Sequence, residues 1–431
     1  MTITATATET VKADGSVRLP QPTVRPDLKS VPVFYINKAE DERAQTLHKL
    51  LCEGHSAVAP LRNPQLILHS HLPHLLGSAY VLGADSEQLK KTYDHDIQTL
   101  VPIDETFIRG GLPLEFTWRE HLGDKSHTIA FVDLFDQQIE KNGGDWKKVV
   151  EKYLFSGKEP IANGILGGLA HPAIHLAYAY EFAMPEVASQ ALSLACTEYA
   201  NFHKLLENEP TDQPTYKSNS LAEVLLRVKQ DARFDGVVKS PGTVNYDLVL
   251  REAYDATIEH WNAWQISDVA TAMEHICDAS VLVAIGSGYS ECKYDFFYAH
   301  VMTAAHAFRV LLPNFPKERH HSLLRQYSLY AILIYVLQFR LDMNADKIDS
   351  FNLAGRDWNW VSEKALENKW GLDDHFFKVV RGIKSFRDLY GEKDGFYLKA
   401  AVKFVSGFAG WEGFGEGVMG FLPSRDGFIP A

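Results

Sequence analysis

Between residues 267 and 345, apolar residues recur at helical spacing almost without interruption. The two breaks, "IGSGYSEC" and "LLPNFPKE", are where glycine or proline gathers. A chain with so long a helical, apolar stretch must bury those faces against other helices, which leaves little room for a sheet-based fold. The same periodicity runs through most of the sequence from Lys38 onward. It is seen in "EDERAQTLHKLLCEG", "SEQLKKTYDHDIQTL", "DWKKVVEKYLF", "SQALSLACTEYANFHKLLENE", "NSLAEVLLRVKQD" and "TVNYDLVLREAYDATIEHWNAW". Strand signals are few: "VPVFYIN" and "HTIAFV". The expectation is a mainly α protein: a single large multi-helical domain over residues 31–431 with few or no short strands. A Thr/Ala/Pro-rich flexible arm over residues 1–30 precedes it. At 431 residues and 46% hydrophobic, the chain has ample material for one core.

Several classes of partner are disfavoured. Lys and Arg total 43 against 55 Asp and Glu, and no basic block stands out, so nucleic acid and anionic membranes are poor partners. The N-terminus lacks the basic-then-apolar order of a secretory signal. The longest apolar run, "LYAILIYVLQF", is too short to span a bilayer and reads as a buried helix. A cytoplasmic protein without a membrane partner is expected, and its oligomeric state is open. Cys52, Cys196, Cys277 and Cys292 form no CxxC and read as buried free thiols of a reducing compartment.

Two histidine clusters carry the chemistry. "HSHLPH" holds His69, His71 and His74, and "HPAIH" holds His171 and His175. His71 and His74 are spaced i,i+3, and His171 and His175 i,i+4, so each pair can share one helix face. Pro73 and Pro172 are placed to start those helices, since proline in the first turn loses no needed donor. His300, in "YDFFYAHVMTAAHAFRVLLP", is a third candidate, whereas His306 lies too far around the same helix to join it. Single buried histidines are usually packing residues; two pairs at proline-started apolar helices point to a metal. Imidazole suits iron, zinc, copper or nickel, and spacing does not choose among them. No carboxylate stands at HxD spacing in either cluster. His48, His55, His95, His121, His127, His203, His260, His275, His320 and His321 lie mostly among charges and are expected at the surface.

Other motifs fail on context. "LILHSH" would open a barrel metallohydrolase only if strand–helix units followed, and they do not. The Gly415, Gly417, Gly420 spacing matches GxGxxG by letter but has no surrounding βαβ unit and reads as a loop.

The segments "HSHLPHLLGSAYVLGA", "GGLAHPAIHLAYAYEF", "YDFFYAHVMTA" and "DDHFFKVVRGI" resemble, in order, motifs of the questin oxidase-like family, fungal enzymes of aromatic polyketide pathways. The resemblance runs from about Leu66 to about Ile383. The family's first motif usually reads His-Asn-His; Ser70 stands here in place of the asparagine. The resemblance implies flavin-free oxidative opening of a quinone or anthraquinone ring to a benzophenone-type product. It implies Fe(II) held by several histidines and by a lysine carboxylated on its side chain. Carried over by motif, the metal ligands are His71, His74, His171, His175 and His300, with Lys378 as the modified lysine. His71 or His74, whichever does not bind metal, is then the general base; His375 is an alternative ligand. Phe296, Phe297 and Tyr298 are expected as aromatic walls. Without the resemblance Lys378 reads as a surface lysine, although Phe376, Phe377, Val379 and Val380 around it are compatible with burial. The partners implied are an aromatic polyketide and dioxygen. A second reading keeps the substrate and makes the reaction a Baeyer–Villiger-type monooxygenation with NADPH as reductant. A third, of another class, is a helical binding protein whose histidines are core residues.

Overall fold

The computed structural model describes residues 19–20, 28–62, 68–103, 114–199, 203–288 and 290–415. Most of the expected N-terminal arm and most of the GxGxxG stretch lie outside them. The described residues are dominated by helices, with five short strands, as the periodicity requires. Three strands, β1 (Val58–Arg62), β2 (Leu68–His69) and β3 (Leu100–Pro102), form a small antiparallel sheet in the order β2-β1-β3. Two more, β4 (Tyr294–Asp295) and β5 (Trp411–Glu412), pair in parallel.

Neither expected strand is one. Residues 31–37 form no strand. "HTIAFV" enters the helix Thr128–Lys141, where Ile129, Phe131, Val132 and Phe135 are all buried. Helical spacing of that apolar face outweighs the β-branched composition. The helices of "SQALSLACTEYANFHKLLENE" and "TVNYDLVLREAYDATIEHWNAW" are each broken in two, the second at Ala253. The apolar helix containing "LYAILIYVL" is buried along nearly its whole length. The helix Val269–Gly286 is long and apolar enough to cross a membrane, and 83% of it is buried in the core.

Four helices meet at the centre. Gly167–Phe182 packs on Phe296–Leu311 and on Leu72–Leu82, and Asp374–Tyr390 packs on Leu72–Leu82 and Phe296–Leu311. Two of them begin at aspartate caps that satisfy free backbone donors. Asp295 accepts from the Phe297 and Tyr298 N–H groups at 2.9 Å each, and Asp373 accepts from the Phe376 N–H at 2.8 Å. Leu72–Leu82 has no side-chain cap; it starts on Pro73 and ends at Gly83 in the left-handed region. The chain's histidine clusters therefore enter the core from helix beginnings, fixed in direction.

Candidate metal centre

His71 is the N-cap of Leu72–Leu82, held in place because β2 ends at His69, paired with Leu61, and the Ser70 N–H donates to Pro60 O. His171 is set by a sharper device. Gly168, Leu169 and Ala170 have φ of +51°, +55° and +64°, a left-handed turn directly before it. For the two non-glycine residues this conformation costs about 1–2 kcal/mol each, so the surrounding packing must enforce it. The right-handed helix then resumes with Pro172 near its start, as expected. At Gly168 a side chain would meet the Glu198 carboxylate, 2.8 Å from the Cβ position. His300 lies on Phe296–Leu311. His375 and Lys378 share a face of Asp374–Tyr390, three residues apart.

These residues converge. The candidate ligand atoms of His71, His171 and His375 lie within 4.8 Å of one another. His71 and His171 stack at 4.6 Å with planes 8° apart, and their Nε2 atoms touch. His375 Nε2 is 3.1 Å from His300 Nε2. Each opposite nitrogen faces an oxygen acceptor. His171 Nδ1 donates to Gly168 O at 2.5 Å, and His300 Nδ1 donates to Phe296 O at 2.8 Å. His71 Nδ1 is 2.9 Å from Asp374 Oδ2, and His375 Nδ1 touches Asp374 Oδ1, both in bent geometry.

The protonation pattern follows. Burial pushes the pKa of His71, His74, His171 and His300 well below the usual value and lowers those of His69 and His375; it takes His175 to about 4. The rings are neutral at physiological pH, each with one N–H. With that N–H on Nδ1 in His71, His171, His300 and His375, all four Nε2 atoms present lone pairs. Lone pairs facing one another repel unless a cation lies among them. Among the described residues, His74 adds an imidazole with neither nitrogen hydrogen-bonded, and Lys378 adds an amine nitrogen without a hydrogen-bond partner. Burial brings the Lys378 pKa down to about 8 against the pull of Asp374. This donor set fits a metal ion: imidazole nitrogens oriented through their far N–H by carbonyls and a carboxylate.

A second layer supports the first. Burial works against the Asp374 charge, yet His375 and His71 outweigh it and hold the carboxyl well below the usual range. Arg62 Nη1 approaches the same carboxylate at 3.1 Å, and its other terminal nitrogen contacts Asp96. His69 stacks on His171 at 4.4 Å, and its Nε2 is 2.5 Å from Glu198 Oε1, which also meets Lys125 Nζ at 2.5 Å. Burial opposes the Glu198 charge, but His69 and Lys125 pull its pKa down to about 2.

The structure thus gathers His71, His171, His300 and Lys378, and adds His375. His74 sits beside them, ring to ring 5.4 Å from His71 and 4.9 Å from His175. His175 is turned outward from the cluster to donate from Nε2 to Gln190 Oε1 at 3.1 Å. Lys378 is buried, at 2% exposure, not at the surface. Phe296 packs on His300 and His375, whereas Phe297 and Tyr298 are core residues, the Tyr298 hydroxyl donating to Gln338 O. His306 lies apart, against Arg381. Two of the expected surface histidines are buried: His260 between Tyr216 and Asp231, and His320 against Phe315 O, since each finds a partner that offsets its desolvation. All four thiols are free, but Cys292 is exposed and Cys52 half-buried. Asp374 and Glu198 were not singled out by sequence, and His69 was named in its cluster without a role; of the two carboxylates only Asp374 left a signal, standing directly before His375 in "DDH".

Comparison with known proteins gives this geometry a context. A Baeyer–Villiger oxidase, ptaJ, of Pestalotiopsis fici is 26% identical over 74% of this chain and 75% of its own length. Questin oxidase of Aspergillus terreus is 24% identical over 74% of this chain and 75% of its own. Oxidoreductase AflY of Aspergillus parasiticus is 24% identical over 85% of this chain and 78% of its own. The questin oxidase-like family profile matches residues 68–383, which takes in every histidine of the centre and Lys378. The chain belongs to the questin oxidase-like family of oxidoreductases.

Proposed function

We propose that this protein is an iron-dependent oxygenase that uses dioxygen to open the quinone ring of an anthraquinone-type aromatic polyketide. The observation that carries the reading is the convergence of the Nε2 atoms of His71, His171, His300 and His375 beside the Lys378 amine, which has no hydrogen-bond partner among the described residues. The names of the relatives, questin oxidase and Baeyer–Villiger oxidase, support the substrate class and the oxidative chemistry.

In this reading His71, His171, His300 and His375 hold the ion, with His74 or His175 in reserve. When bound, ferrous iron supplies the one-electron chemistry toward dioxygen that zinc lacks. Lys378 serves as a carbamate. Its neutral amine attacks carbon dioxide, an N–C bond forms, and a proton leaves to water, so a neutral group becomes an anionic oxygen donor. With its pKa at about 8, roughly half the amine is neutral at pH 8, against less than about one per cent for an ordinary lysine. Asp374 keeps the His71 and His375 protons on Nδ1 and so keeps Nε2 available. His74, neutral and without a partner among the described residues, takes the phenolic proton of the substrate as general base. Phe296 lines the site with an aromatic ring packed on His300 and His375, against which a flat substrate would seat. The burial of every imidazole excludes bulk water.

The relatives' names also favour a second stoichiometry, Baeyer–Villiger insertion of one oxygen atom beside a ring carbonyl. That reaction consumes one NADPH and a proton, and reduces the second oxygen atom to water. Labelled dioxygen separates the two: both atoms in the ring-opened product mean dioxygenation, one atom with NADPH consumption means monooxygenation. The test of the metal is its content by plasma mass spectrometry, in protein purified without added metal, beside His171→Ala. About one iron per chain, lost in the variant, is the expected result. No metal even after anaerobic iron loading would overturn the proposal and favour a helical binding protein.

A further inference from the structure

The imidazoles of the centre are all buried, yet a ladder of rings leads from them to the surface. His375 and His300 pack on Phe296 at 4.4 and 4.7 Å between centroids. Phe296 packs on Phe414 at 5.0 Å, and Phe414 is 36% exposed. Trp411 lies across the same spot, 6.0 Å from the His375 ring and 6.1 Å from Phe296.

The segment that brings Trp411 and Phe414 there is short and bracketed by glycines, and Trp411 also packs on Phe408 at 4.8 Å. β5 contributes only two residues, paired with β4 at Tyr294 and Asp295. The Trp411 indole N–H donates to Asp373 Oδ2 at 3.0 Å, and Glu412 accepts from the Ser290 N–H at 3.2 Å. Gly410 and Gly413, with φ of +123° and +86°, bracket the pair, in a region of backbone space that other residues avoid. The anchors are well chosen for coupling. Asp295 caps the helix of His300, and Asp373 caps the helix of His375 and Lys378. The segment lies beyond residue 383, where the family match ends.

We propose that residues 410–414 form a strap over the mouth of the metal centre, and that Trp411 and Phe414, with Phe296, admit and align a planar polycyclic aromatic substrate. The identity of the substrate rests on the ring-opening function proposed above; the passage does not. Offset stacking on these rings orients a flat molecule with one edge toward His300 and His375, while a single-ring phenol spans too little of the ladder to be held.

Two measurements on the full chain test this. The first is anaerobic equilibrium dialysis of 1,8-dihydroxyanthraquinone, with Trp411→Ala, Phe414→Ala and Trp411→Phe beside the parent. Loss of either ring weakens binding by about fivefold to tenfold, and Trp411→Phe, which keeps a ring and drops the Asp373 hydrogen bond, recovers most of it. Iron content is unchanged in all three. The second is the rate of ethoxyformylation of His300 and His375 by diethyl pyrocarbonate in chelator-treated protein, read by peptide mass spectrometry. It rises about tenfold in Trp411→Ala and stays at the parent rate in Phe116→Ala, an exposed control. Equal modification rates in parent and Trp411→Ala overturn the strap. Dialysis constants within about twofold of the parent in both alanine variants overturn the role of the rings. If the parent binds no anthraquinone but Trp411→Ala still unmasks the histidines, the strap stands and the proposed substrate falls.

Discussion

Replacing Lys378 by methionine separates what this residue does to the fold from what it does for a metal. Methionine keeps the unbranched stem and fills the same space, and it removes the charge. The magnitude follows from burial. The amine pKa drops from 10.5 to about 8 on folding, roughly two and a half units, and each unit is about 1.4 kcal/mol. Below pH 8 both folded and unfolded chains hold the proton, and the metal-free fold carries the full penalty of about 3 kcal/mol. Between pH 8 and about 10.5 the unfolded chain binds more protons, so stability rises with pH; above that range both states are neutral and the penalty is gone. Chelator-treated Lys378→Met is therefore expected to be more stable than chelator-treated parent by about 3 kcal/mol at pH 7, in urea denaturation followed by circular dichroism. The gap closes as the pH approaches about 10.5, and other titrating groups cancel in the difference between the two proteins. The same variant, purified without chelator, is expected to hold less iron than the parent, because no carbamate can form on it. A variant that is no more stable at pH 7, or a gap that does not change with pH, would refute the account of Lys378 as a buried, weakened base.

Asp374→Asn keeps the shape of the pin but leaves one oxygen to serve two imidazoles, so iron affinity by chelator competition is expected to fall about tenfold to a hundredfold. Its acid limb changes as well: the depressed Asp374 pKa contributes stability above about pH 4 that is lost as the pH falls, and the variant lacks that loss. Gly168→Ala places a Cβ against Glu198 in a backbone with φ of +51°; a loss of about 2 kcal/mol in urea denaturation is expected, with reduced iron content as His171 is displaced. Burial raises the Asp295 pKa to about 8, so the proton it holds stabilises the fold fully below about pH 4, and that contribution is lost as the pH rises through 8. Asp295→Asn, which still caps the Phe297 and Tyr298 N–H groups, should flatten the stability profile between those limits.

The helices were legible because their faces are. "LYAILIYVL" and "DDHFFKVVRGI" repeat apolar residues at helical spacing, and the structure buries those faces. "HTIAFV" misled because its β-branched residues carry a strand preference that a buried helical face overrides. In the centre, His71 and His74, and His171 and His175, announced themselves by spacing within one helix. Lys378 could not, since nothing local distinguishes a buried amine from an exposed one; only the family resemblance singled it out. The left-handed turn before His171 was equally hidden, because Leu169 and Ala170 have no intrinsic leaning toward positive φ. Asp374 meets Arg62 and His71, and Glu198 meets His69, all far away along the chain, and sequence spacing carries no record of such a meeting.

The Asp374 carboxylate has a consequence for synthesis. It joins Arg62 to the Asp374–Tyr390 helix across 312 residues, and it touches His71 and His375 at the same time. At roughly 5–20 residues per second, the ribosome needs about 15 to 60 seconds to add the partner after Arg62 has emerged. For that interval the early imidazoles have neither their carboxylate nor their lysine. An ion caught by the nascent chain meets only a loose histidine pair, which any competing imidazole can match. On the proposed metal reading, selective loading waits for residues 374–378, in about the last eighth of the chain, so choice of metal would be an act of the finished fold.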